Sequence, residues 1–138
     1  MKLKSTIPLP IRVMIVGVYG YDKNDYEETF SDKNGFDLVE MISDPDPVTK
    51  DIVIEKIRDL NIDVTFVDGS LGKSQSIELV CGINVALPDA SIITLSDSTE
   101  TTWMNEILDC GAKEILNKPI TIEHLYHAMN VLLGRREK

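Results

Sequence analysis

The chain has 138 residues, 43% of them hydrophobic and 27% charged, enough for one hydrophobic core and too few for two comfortable ones. Its net charge of −9 provides no basic footprint for counterion-release binding, so a nucleic-acid partner is not expected. No apolar run approaches the roughly 20 residues that span a bilayer, and Met1 to Pro10 lacks an apolar stretch of signal-peptide length; a cytoplasmic protein without a membrane partner is expected.

Residues 1–10 read as an N-terminal extension, 11–134 as the domain and 135–138 as a tail carrying Arg135, Arg136 and Lys138. Ile11 to Val16 (IRVMIV) is an apolar run too short for a helix and stopped by Gly17, the pattern of a strand buried on both faces. The stretch from Val18 to Gly35 is polar and irregular, with room for a short helix around Asp25 to Ser31 that would bury Tyr26 and Phe30 through their i, i+4 spacing. Phe36 to Ile42 predicts an edge strand. Asp46 and Pro47 then supply the cap and first turn of a helix reaching about Asn61, with Val53, Ile57 and Leu60 on one face.

Val64 to Val67 is a third strand running into Asp68, and Gly69 and Gly72 open the loop after it. Ser74 to Leu87 has helical spacing at Ile77, Val80 and Cys81. Ser91 to Leu95 is a fourth strand, and Thr99 to Cys110 a helix with Trp103, Met104, Ile107 and Leu108 on one face, stopped by Gly111. Glu114 to Asn117 gives the fifth strand. After Lys118 and Pro119, the stretch from Thr121 to Gly134 places Ile122, Leu125, Met129 and Leu132 on one stripe. Strict alternation of strands and helices predicts an α/β fold, a doubly wound parallel sheet with right-handed crossovers and helices on both faces.

Cys81 and Cys110 have neither CxxC spacing nor neighbouring histidines and read as reduced packing residues. His124 and His127 share the last helix without a third ligand and read as solvent-facing, and Trp103 reads as a packing residue. No metal site is predicted from these residues.

Ligands of an open doubly wound sheet meet the carboxyl ends of the strands. Those ends carry Gly17 and Val18, then Asp68, then Ser96 and Asp97, then Lys118. An Asp, a Ser and a Lys in that order, within VTFVDGSLG, SIITLS and GAKEILNKP, resemble a response-regulator receiver over about residues 11 to 134. The resemblance implies a flavodoxin-like five-stranded sheet of order 2-1-3-4-5. It implies that Asp68 is the candidate phosphoacceptor, attacking a phosphohistidine of a histidine kinase, with Lys118 neutralising oxygen charge and Ser96 bonding the phosphoryl group. It also implies a cis Lys118–Pro119 bond and a non-enzymatic role in two-component phosphorelay signalling.

Receivers carry two acids after the first strand that hold Mg²⁺ together with the acceptor and a backbone carbonyl. Here Gly17 and Val18 stand in their places. Asp68 and the Ser70 carbonyl are the only matching ligands, so Mg²⁺ binding should be weak. A substitute would have to come from Asp22 or Asp25. Ile115 replaces a switching aromatic, Gly72 a proline and Asp97 a small residue, and Asp97 would repel a phosphoryl group on Asp68. The conventional switch therefore reads as impaired, and Asp68 has the simpler reading of a residue that caps its turn.

Two functions follow. One is a receiver that accepts phosphate at Asp68 and signals to a downstream protein. The other is a phosphorylation-independent interaction or dimerisation module acting through the last two helices, as in the atypical receivers of pilus-assembly and localisation ATPases. A flavodoxin-type domain would need a phosphate loop rich in Ser, Thr and Gly, and VYGYDKND offers only Gly20, so no cofactor is expected.

Overall fold

In the computed structural model, which describes residues 2–18, 23–43 and 47–134, the apolar runs become strands of one parallel sheet. β1 (Ile11–Val16), β2 (Phe36–Ile42), β3 (Val64–Asp68), β4 (Ile92–Ser96) and β5 (Glu114–Asn117) lie in the order β2-β1-β3-β4-β5, the order the resemblance implies. Successive side chains of a strand point to opposite faces, and β1 divides accordingly. Val13 and Ile15 join one core cluster, Met14 and Val16 the other. β2, at the edge, is only half-buried beyond Phe36.

The helices cover both faces. α1 (Lys23–Thr29) and α5 (Ile122–Leu133) close the first cluster with Tyr26, Leu125, Ala128, Met129 and Leu133. α2 (Pro47–Asp59), α3 (Lys73–Ala86) and α4 (Thr101–Asp109) close the second with Val53, Ile57, Leu79, Val80, Ile83, Trp103 and Ile107. The short helix expected near Tyr26 is therefore present. Its role is to seat Phe30, whose ring centroid lies 4.8 Å from that of Phe66 and 5.2 Å from that of Phe36.

Several predicted faces are rotated. In α3 the fully buried positions are Ser76, Leu79, Val80 and Ile83, while Ile77 and Cys81 sit at the margin. In α4 Leu108 is exposed. A helix packed on a sheet buries a stripe wider than one row of residues, and the neighbouring helix decides which edge of that stripe is covered. α2 begins at Pro47; Asp46, read as its cap, lies outside the described residues, as does the tail 135–138. Thr121 caps α5 by accepting from the His124 amide at 3.2 Å.

The segment before β1 packs on the domain: Ile7 is buried in the first cluster, the Lys4 amide donates to Asn130 Oδ1, and Asn130 Nδ2 donates to the Lys2 carbonyl. One expectation is overturned. Cys81 and Cys110 are joined in a disulfide, with Cα atoms 4.7 Å apart. A separation of 29 residues carries no local motif; the bond exists because α3 and the end of α4 are neighbours on one face of the sheet. No helix among the described residues is long and apolar enough to cross a membrane.

Phe30 links α1 to the sheet through buried ring contacts. Phe30→Ala is expected to lower unfolding free energy by about 3–5 kcal/mol, measured by urea denaturation.

Candidate functional site

β3 delivers Asp68 to the carboxyl edge of the sheet with no accessible surface. A buried carboxylate must be paired and hydrogen-bonded. Asp68 Oδ1 accepts from the Ser70 amide at 2.9 Å and from Lys118 Nζ at 2.7 Å. Oδ2 accepts from Lys118 Nζ at 2.8 Å and from the Tyr26 hydroxyl at 2.6 Å. An ionised carboxylate offers about four acceptor sites, and these contacts engage both oxygens twice.

Each partner is positioned by its own element. Lys118 follows β5, its amide donates to the Ser96 carbonyl at 2.9 Å, and a cis bond joins it to Pro119 as the resemblance implies. Its ammonium also lies 3.3 Å from Ser70 Oγ. The turn Gly69–Leu71 brings the Ser70 amide back to Asp68, so the aspartate caps its turn and pairs with the lysine at once. Tyr26 projects from α1, where its sequence spacing alone marks it as a packing residue. The hydroxyl at the far end of an otherwise buried ring was the available signal, because such a group needs a partner.

Ser96 is brought to the next strand end, where Asp68 pairs with Leu95 in the β3–β4 register. Its hydroxyl serves its own loop, accepting from the Ser98 amide at 2.8 Å, and it forms no hydrogen bond with Asp68 among the described residues. Asp97 is exposed and, with Asp25 and Glu28, lines a cleft of about 550 Å³ that reaches Lys118.

The positions at which the receiver resemblance expects an acidic pair, Gly17 and Val18, are informative. Gly17 has φ +94°, and a Cβ there would fall 2.7 Å from Leu71 Cδ2 and 3.1 Å from the Asp68 carbonyl. Both Gly17 and Val18 amides donate to the Ile42 carbonyl, at 2.7 and 3.2 Å, and the Val18 side chain is buried. The backbone is thus fitted to residues without carboxylates. Asp25 is exposed on α1, and Asp22 lies outside the described residues. No group of three or more His, Cys, Asp or Glu that could hold a metal occurs among the described residues. With both Asp68 oxygens engaged by donors, these residues do not fit a Mg²⁺ ion. Gly72, standing where receivers carry proline, has φ +113°, which a proline ring cannot adopt.

The model of the response regulator receiver domain matches residues 29–130. The chain belongs to that family. Receivers of this kind are signalling domains of two-component systems. Solved receiver structures of similar fold include a response regulator from Thermotoga maritima, 21% identical, covering 91% of this chain and 99% of its own, with a TM-score of 0.73. The CheX–CheY complex with BeF₃ and Mg²⁺ from Borrelia burgdorferi contains another, 22% identical, covering 89% and 90%, with a TM-score of 0.72. A pilus assembly-related protein from Burkholderia pseudomallei has the same fold at 9% identity, covering 91% of each chain, with a TM-score of 0.75. No curated protein sequence matches the chain.

Two outcomes are expected of this receiver site. Lys118→Met leaves the Asp68 charge buried without its cation and should cost about 3–5 kcal/mol in urea denaturation, while Asp68→Asn combined with Lys118→Met should cost less than Lys118→Met alone. Gly17→Asp should destabilise by about 1–3 kcal/mol through its left-handed backbone and the Leu71 contact, without giving Mg²⁺-dependent stabilisation in thermal melts.

Proposed function

We propose that this receiver signals through protein contacts that do not depend on phosphorylation, with Asp68 serving as a structural anion instead of a working phosphoacceptor. The observation that carries the reading is the closed hydrogen-bond shell of Asp68. In-line attack on phosphorus needs a carboxylate lone pair directed at the donor, and here each oxygen already faces two donors while the side chain is fully buried. Opening the shell would require α1 to withdraw the Tyr26 hydroxyl and Lys118 to release one oxygen. Gly17 and Val18, directly after β1, carry no carboxylate for a metal that would offset the charge of the incoming phosphoryl group.

Lys118 and Tyr26 instead tie the edge strand β5 and α1 to the centre of the sheet. Such an arrangement fixes one conformation for recognition by a kinase or a downstream signalling protein, or by a second copy of the chain. We place the contact surface on α4 and α5, whose partner would bind equally well when Asp68 carries no phosphate.

Incubation with acetyl phosphate, with Mg²⁺ or with chelator, followed by intact-mass measurement, is expected to give no adduct of one phosphoryl group in either condition. A Mg²⁺-dependent adduct that disappears in Asp68→Ala would overturn the proposal and make Asp68 a functioning acceptor.

A further inference from the structure

α4 is a helix of nine residues, too short to be stable by itself, so its place on the domain depends on what ties it to its neighbours. Its N-terminal end is tied to α3 by two polar contacts: Trp103 Nε1 donates to the Lys73 carbonyl at 3.2 Å, and Lys73 pairs with Glu100 in a half-exposed ion pair. Exposed pairs of that kind contribute little. Its C-terminal end is tied by the Cys81–Cys110 bond, beside which Gly111 packs so tightly on Asn84 that no side chain fits there. Beyond the burial of Trp103 and Ile107 in the second cluster, the covalent tie is therefore the main constraint holding α4 on α3.

The tie is also reachable. Both cysteines are only partly buried, and Cys81 lines an open groove of about 760 Å³ between α2 and α3, shared with Lys50, Gln75 and Glu78. At the other end of α4, the Trp103 indole lies over Gly69, where an added Cβ would sit 3.4 Å from Cη2. Gly69 is the residue after Asp68. A shift of α4 is thus felt at the turn whose Ser70 amide holds the Asp68 carboxylate.

We propose that Cys81–Cys110 is a reversible thiol–disulfide switch, reduced by low-molecular-weight thiols entering the α2–α3 groove, that locks α4 on α3 when oxidised and releases it when reduced. A thiolate attacks Cys81 Sγ, a mixed disulfide forms, and Cys110 leaves as a thiolate that takes up a proton. A second thiol resolves the mixed disulfide, so two small thiols become one small disulfide and the protein gains two thiols. Oxidation by a small disulfide reverses the sequence. This device is independent of phosphoryl chemistry at Asp68.

The chain contains a single tryptophan, Trp103, which makes the release observable. The native protein would be equilibrated in dithiothreitol, then in glutathione disulfide, following free thiols, tryptophan emission and amide hydrogen exchange. Reduction is expected to expose two thiols, shift the emission to the red, and raise exchange across Thr101–Asp109 by roughly tenfold or more while β1, β3 and β4 stay protected. Oxidation should restore the original emission. Cys81→Ser and Cys110→Ser should each show the emission of the reduced protein, which neither reagent should return to that of the oxidised native chain. Thiols that appear with emission and exchange unchanged would overturn the proposal, leaving a passive staple. So would thiols that appear only on global unfolding, or thiols that glutathione disulfide cannot rejoin; because these readings use the native chain, they decide the matter even where a serine variant fails to fold.

Discussion

A carboxylate with no accessible surface sits at the centre of the sheet's carboxyl edge, and much of the surrounding structure is arranged to make that tolerable. Removing a carboxylate from water costs several kcal/mol even after relaxation, and only a cation with well-formed hydrogen bonds offsets it. Asp68 obtains the cation from β5, a hydroxyl from α1 and an amide from its own turn. Three elements distant in sequence are thereby fixed relative to one another by one charge.

The same economy of donors bears on chemistry. A phosphoacceptor must hold an oxygen ready for an electrophile, and a metal-assisted one must share an oxygen with the ion. Asp68 has both oxygens turned toward donors of the protein, while the backbone at Gly17 is left-handed and pressed on Leu71 where a carboxylate would have to grow. These two features have one consequence, and together they support the reading proposed above, of a receiver that acts through recognition.

A second constraint acts on the opposite face of the sheet. α3 and α4 are joined by a covalent bond at one end and weak polar contacts at the other, and the indole of Trp103 carries the position of α4 to the residue following Asp68. The charge-locked edge and the disulfide-locked helix pair thus meet at the turn Gly69–Leu71. In the reading proposed above, the state of the first is fixed by burial and the state of the second by the redox conditions around the protein.

The sequence by itself determined the five strands, their alternation with helices, and the placing of Asp68, Ser96 and Lys118 at strand ends, because short apolar runs followed by polar residues are a local pattern and a parallel sheet aligns such ends on one edge. It also made the loss of the acidic pair legible, since Gly17 and Val18 can be read directly after the first strand. Only the tertiary structure decided that the Tyr26 hydroxyl closes on Asp68 across 42 positions, that Cys81 and Cys110 are bonded and not merely packed, that Ser96 serves its own loop, and which edge of each helical stripe is covered. Periodicity shows that a side chain is buried on a face; what it touches there depends on how neighbouring elements pack, and no spacing within one element encodes that.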